Sequence, residues 1–240
     1  MKRTLDLLTL NAPHQVQLRF LMLVISGVYL FNFHVNDIWT PNESFYAEAV
    51  REMFESGNFL EIFYNYEPRY NKPPVTYWLM AFSTWIFGLS TFALRLPIVL
   101  MGIGSIYLTY LLGKQLYGKK EGLYAMVMMA FSIQLLAVKQ YASPEMPLTF
   151  FFTLTMLWFI KAYQEKRTTY FYLAYAALGF TVLTKGFPYI IVTAGIIGLF
   201  VLLNGSFTVK RIWNDIKRLQ LPLGLIITLL IGLSWIIFML

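Results

Sequence analysis

No cysteine occurs among the 240 residues. Disulfides and thiolate chemistry are therefore excluded, and the redox character of the compartment leaves no trace in the sequence. Histidine is nearly as scarce: His14 and His34 stand alone, and an isolated imidazole does not make a zinc site, so both read as interfacial residues. Charge is in short supply too. Asp, Glu, Lys and Arg make up 13% of the chain against 58% hydrophobic residues, and the mean hydropathy is +0.59, which is too apolar for a soluble domain of this length. There is no basic stripe interleaved with aromatics, so nucleic acid is not an expected partner. Internal repeats and low-complexity tracts are lacking as well.

What the chain has in quantity is apolar sequence in long runs. Leu18 to Phe33, Ile98 to Leu112 and Phe187 to Leu203 approach the length needed to span a bilayer as helix. The expected fold class is all-α, a polytopic membrane protein. Lys2 and Arg3 precede the first run, but Phe31, Asn32, Phe33 and His34 follow it in place of a small-residue cleavage site, so the first span reads as uncleaved. The last run begins at Leu221 and reaches Leu240 with no polar closure, which reads as a truncated segment.

Residues 34–72 form the one long polar stretch. Within it Phe45, Tyr46, Ala49, Val50, Met53 and Phe54 recur at helical spacing, with Glu48, Arg51, Glu52 and Glu55 opposite, which predicts an amphipathic helix over about 41–56 lying on the membrane surface. Thr40 with Glu43 matches a capping box, Pro41 takes the first position and Gly57 follows the last turn. Charge decides whether the apolar segment around 73–89 crosses. If it does not, the spans are about 18–33, 96–112, 122–138, 148–160, 170–184, 187–203 and 221–240, and thirteen of the 19 Lys and Arg residues fall on the cytoplasmic side with the N-terminus. If it crosses, that count falls to six, against the positive-inside rule. The segment is therefore expected to be interfacial or re-entrant. Tyr77, Trp78, Trp85, Tyr170, Tyr172 and Tyr175 read as interface anchors, Asn204-Gly205-Ser206 as a chance sequon, and 207–220 as a basic link that attracts anionic headgroups.

This topology puts four polar clusters on the outer face: Asn42-Glu43, Arg69 to Lys72, Ser143-Pro144-Glu145 and Lys185-Gly186. A carboxylate can take a proton from an attacking hydroxyl, and Lys or Arg can hold a phosphate as it leaves. Each residue also has a structural reading: Glu43 in its capping box, Glu145 at a helix N-terminus, Lys185 at a helix end, Lys72 snorkelling to the headgroups. Those readings do not predict a shared side.

The runs Thr40-Pro41-Asn42-Glu43-Ser44-Phe45-Tyr46-Ala47-Glu48, Arg51-Glu52-Met53 to Gly57, Tyr70-Asn71-Lys72-Pro73-Pro74 with Tyr77-Trp78, Phe92-Ala93-Leu94-Arg95-Leu96-Pro97 and Leu183-Thr184-Lys185-Gly186 resemble, in order and spacing, the aminoarabinose lipid A transferase and protein O-mannosyltransferase superfamily. The resemblance covers nearly the whole chain, as the N-terminal module of a longer protein. It implies a GT-C helical bundle with juxtamembrane helices on the outer face of the bacterial inner membrane. It implies an inverting hexosyl- or pentosyltransferase that takes its sugar from a polyprenyl phosphate and gives it to lipid A, a protein hydroxyl or another glycan. Two positions depart from the family. Asn42 stands where an Asp is usual, and an amide cannot act as a base; Asn71 stands where an acid precedes Lys-Pro-Pro, which removes an anionic ligand from any divalent metal site. No cofactor is called for, and a metal is poorly supported. By this resemblance Glu145 or Glu43 is the expected base, Asn42 orients the acceptor, and Lys72, Lys185, Arg69 and Tyr70 attend the donor phosphate. A lipid-linked-sugar flippase and a catalytically inactive relative are the rival expectations.

Overall fold

A backbone surrounded by hydrocarbon must satisfy its own N–H and C=O groups, which an α-helix does within one segment. The computed structural model describes residues 13–38, 41–204 and 208–239. In chain order these form α1 (His14–Leu30), α2 (Asn42–Ser56), an antiparallel hairpin of β1 (Phe63–Tyr64) and β2 (Glu67–Pro68), α3 (Val75–Phe87), α4 (Thr91–Leu116), α5 (Lys119–Ala130) and α6 (Ile133–Val138), followed by α7 (Glu145–Glu165), α8 (Thr168–Lys185), α9 (Pro188–Leu203), α10 (Val209–Arg218), α11 (Leu221–Gly232) and α12 (Ser234–Met239). Among the described residues α4 and α7 are each long and apolar enough to cross a membrane.

α4 packs on α3, α5 and α7, then α7 on α8 and α8 on α11. The main apolar cluster joins Ile25 and Tyr29 of α1, Met53 of α2, Met80 of α3, Ile98 of α4, Met126 of α5 and Met146 of α7. Small residues let helices approach closely, as packing in lipid requires. A Cβ on Gly122 of α5 would lie 2.7 Å from the Tyr110 carbonyl oxygen of α4.

The expected span 122–138 is two helices. α5 stops at Ala130 and α6 starts at Ile133, because Ser132 Oγ donates to the Met129 carbonyl at 2.9 Å and offers the backbone an alternative to helical pairing. The segment 221–240 divides in the same way: Ser234 Oγ donates to the Ile231 carbonyl at 2.7 Å where α11 ends and α12 begins. The expected interfacial helix covers Val75–Phe87 and ends at Gly88, whose φ of 76° suits glycine. Lys2, Arg3, Thr40 with its capping box, and Gly205-Ser206 of the sequon lie outside the described residues.

α2 covers Asn42–Ser56 against the expected 41–56, with Pro41 just before its first residue and Gly57, φ 71°, after its last. Its face is not as the pattern suggested, since Glu52 is buried. Both Glu52 carboxylate oxygens accept the backbone N–H of Tyr66 at 3.2 Å. Tyr66 and Asn65 form the two-residue turn of the hairpin and both hold positive φ, 61° and 54°, the conformation of a type I′ turn. A buried carboxylate thus anchors a turn with no glycine. At the end of α1, Lys139 Nζ donates to the carbonyls of Val28 at 2.6 Å and Phe31 at 2.9 Å, capping groups the helix leaves unpaired. His14 is no free interfacial residue: its Nε2 lies 2.7 Å from the Tyr110 hydroxyl.

Candidate active site

α7 and α8 run antiparallel, so the N-terminus of one meets the C-terminus of the other. The helix dipole favours an acid at the first and a base at the second. Glu145 occupies the first turn of α7, and Lys185 the last turn of α8 before Gly186, whose φ is 103°. Lys185 Nζ donates to Glu145 Oε1 at 2.9 Å. This pair forms one wall of a cavity of about 280 Å³.

The other walls come from the polar stretch. Asn42, Phe45 and Tyr46 enter from the first turns of α2, Arg69 and Lys72 from the exit of the hairpin, and Tyr77 from α3. Tyr141, Ser143 and Pro144 approach from the segment before α7. The Arg69 guanidinium lies 4.0 Å from the centroid of the Phe45 ring and 5.2 Å from that of Tyr64, and its Nε is buried without an acceptor. Cation–π contact holds such a group in place, and a side-chain hydrogen bond with Tyr77 also engages it. Lys72 enters no salt bridge among the described residues. Burial pushes the Tyr46 phenol well above the usual range, with Tyr77 and Glu145 adding to the effect and Arg69 opposing it. Tyr46 is therefore a neutral donor at physiological pH.

All four clusters picked out in the sequence meet here, although single residues go elsewhere. Glu43 is sealed, with 1% of its side chain exposed. Its Oε1 accepts from Arg95 Nε and from the Ala142 backbone N–H, both at 2.7 Å, and its Oε2 accepts from the second Arg95 donor at 2.8 Å. Arg95 also donates to the carbonyls of Phe33, Asn36 and Asp37. One ion pair thus ties the loop after α1, the start of α2, the start of α4 and the segment that leads into Glu145. Tyr70 points away from the cavity, its hydroxyl donating to Glu61 Oε1 at 2.7 Å. Tyr77 was expected to be an interface anchor and instead is buried against the cavity, with its ring 4.7 Å from that of Tyr46. Phe45 and Tyr46 were expected on the apolar face of α2 and Tyr141 was not singled out, since aromatics are too common in this chain to mark a site, yet all three line the cavity.

The cavity wall carries three cations, Arg69, Lys72 and Lys185, and one carboxylate, Glu145. That set is suited by charge to an anion. It does not suit a divalent metal, which takes several oxygen ligands of negative charge.

Residues 71–236 match the family model described as dolichyl-phosphate-mannose-protein mannosyltransferase. The chain belongs to this family. Among its relatives, a protein of uncharacterised function from Aquifex aeolicus (strain VF5) is 34% identical over 92% of this chain and 43% of its own length. The undecaprenyl phosphate-alpha-4-amino-4-deoxy-L-arabinose arabinosyl transferase 1 of Proteus mirabilis (strain HI4320) is 28% identical over 85% of this chain and 38% of its own length. The crystal structures of ArnT from Cupriavidus metallidurans, apo and bound to undecaprenyl phosphate, superpose with TM-scores of 0.83 and 0.82 at 22% identity. They cover 94% and 92% of this chain and 42% and 41% of theirs. The chain spans less than half the length of these relatives. The fold is therefore the GT-C helical membrane bundle, as the sequence resemblance implied, and the family model extends from Asn71 in the hairpin exit to the start of α12.

Proposed function

We propose that this mannosyltransferase-family chain carries the donor site of an inverting membrane glycosyltransferase, which moves a hexosyl or pentosyl group from a polyprenyl phosphate to a lipid, protein or glycan acceptor. The observation that carries this reading is the gathering of Arg69, Lys72 and Lys185 around Glu145 in one cavity. Family membership and the undecaprenyl phosphate bound to the related ArnT support it. On this reading the two cations not paired to a carboxylate, Lys72 and Arg69, receive the donor phosphate. Lys185 then turns from Glu145 to the phosphate, leaving the carboxylate free to accept a proton from the acceptor hydroxyl or amine. The nucleophile attacks the anomeric carbon from the side opposite the phosphate. The bond from carbon to phosphate oxygen breaks with its electron pair on that oxygen, where the cations hold the charge. Asn42 accepts and donates hydrogen bonds at the mouth and orients the acceptor. The topology argued from charge puts this cavity on the outer face of the inner membrane, with the N-terminus in the cytoplasm.

The test follows release of free polyprenyl phosphate from labelled donors by the intact protein in liposomes. Lys72→Ala is expected to lower release by a factor of about 100 or more, the usual loss when one donor to a developing oxyanion is removed. Glu145→Gln should fall by a similar factor. Unchanged release from Lys72→Ala overturns the assignment.

A further inference from the structure

Glu52 is a buried acid that the transfer chemistry leaves unused. It is 3% exposed, and among the described residues it enters no salt bridge. Burying a carboxylate is costly unless it is bonded. Both of its oxygens meet one backbone N–H, that of Tyr66 in the hairpin turn, at 3.2 Å. Its other hydrogen-bonded neighbour is the Glu48 side chain, which Arg51 neutralises. The turn needs such a hold, because Asn65 and Tyr66 both carry positive φ and neither is glycine.

The hairpin that this turn closes leads straight to Arg69. Phe63 pairs with Pro68 and Tyr64 with Glu67, and the Arg69 N–H donates to the Ile62 carbonyl at 2.7 Å, so the ladder continues through Arg69. Alternation along the strands places Ile62, Tyr64, Glu67 and Arg69 on one face. Ile62 is sealed in the apolar core, and the Tyr64 ring reaches the Arg69 guanidinium from the diagonal position. Phe45 of α2 meets the same guanidinium. Phe45 and Glu52 lie two turns apart on one face of α2, about 10 Å along its axis. Tyr66 and Arg69 are also about 10 Å apart, at the rise of a strand. The spacings match. The hairpin therefore lies along α2, with its turn fastened at Glu52 and its cation at Phe45.

We propose that Glu52 is a positioning residue for the donor phosphate site: by holding the Asn65-Tyr66 turn it sets where the Arg69 guanidinium stands in the Glu145 cavity. The proposal rests on the reading of Arg69 as a phosphate ligand. A cation on an unsupported loop loses freedom when the donor binds, whereas one fastened at both ends of a hairpin is fixed beforehand. The hold is on the backbone, since the Tyr66 side chain lies on the surface against Arg51 and Glu55.

The test measures the dissociation constant of undecaprenyl phosphate for the intact protein in detergent, as a double-mutant cycle. Arg69→Ala is expected to weaken binding about tenfold, the worth of one bond to a charged group. Glu52→Ala is expected to weaken it about fivefold in the wild-type background, and to add nothing once Arg69 is replaced. A purely structural role for Glu52 would lower affinity alike in both backgrounds. Tyr66→Gly makes the turn an Asn-Gly pair, which adopts this conformation unaided, and is expected to restore affinity to the Glu52→Ala protein. Where Glu52→Ala folds poorly, Glu52→Gln takes its place, because an amide turns one acceptor into a donor, and the same dependence on Arg69 is expected. Equal losses in both backgrounds, wild-type affinity in Glu52→Ala, or no recovery with Tyr66→Gly overturns the proposal, while the effect of Arg69→Ala leaves the donor site standing. Wild-type affinity in Arg69→Ala overturns the donor-site role of Arg69 and this proposal with it.

Discussion

Glu43 shows how far a residue's place in a motif is from its role in the molecule. Its sequence neighbours suggested a capping residue or a base, and nothing local points to Arg95, 52 positions away. In the structure both side chains are 1% exposed and bonded to each other. Removing one member of a buried pair strands the other charge, at a cost of about 3–5 kcal/mol. Arg95→Met is accordingly expected to lower the thermal midpoint of the purified protein markedly, because it also frees the carbonyls of Phe33, Asn36 and Asp37. A wild-type midpoint would show that the pair does not hold the loops. Glu145 differs: its side chain is 40% exposed, a surface pair of that kind adds little stability, and Glu145→Gln should unfold close to wild type while losing transfer. Only the tertiary fold separates the two carboxylates in this way, since both are acids at the start of a predicted helix.

At the scale of elements, helix was legible wherever apolar runs were long, and breaks were not. Ser132 and Ser234 sit at the breaks in the spans 122–138 and 221–240 and bond carbonyls three residues back, but Ser44 and Ser105 also bond carbonyls of the preceding turn while α2 and α4 continue, so the residue type alone gives no signal. The hairpin was missed because its turn is Asn65-Tyr66 instead of the glycine-containing pair that marks such turns. The α4–α5 contact carries a prediction of its own. A side chain on Gly122 meets the α4 backbone at Tyr110 and Lys114, which cannot rotate away as a side chain can. Gly122→Leu should therefore force the helices apart and reduce folded yield in detergent, whereas Gly195→Leu, where a Cβ meets nothing within 4 Å, should be tolerated. Equal yields from the two variants would count against close packing at this crossing.

At the scale of the whole molecule, the absence of cysteine makes topology directly measurable. A single Ser56→Cys at the end of α2 and a single Arg167→Cys between α7 and α8 would each be the sole thiol in the chain. An impermeant thiol reagent added to intact cells is expected to label position 56, and to label position 167 only after the membrane is opened. Labelling of both from outside would refute the orientation argued from charge.

Composition by itself determined that the chain is a helical membrane protein, because apolar runs in lipid leave the backbone few other ways to be satisfied. The motifs determined the family, and charge patterning singled out the four clusters that the fold brings together. Tertiary structure alone decided which members of those clusters face one another. Asn42 faces the cavity and Glu43 is sealed beside it; Lys72 lines the cavity, and Tyr70, two residues earlier, turns to Glu61. The reason is geometric. Neighbours in sequence leave the backbone in different directions, and which direction leads to the cavity depends on contacts from helices tens of residues away.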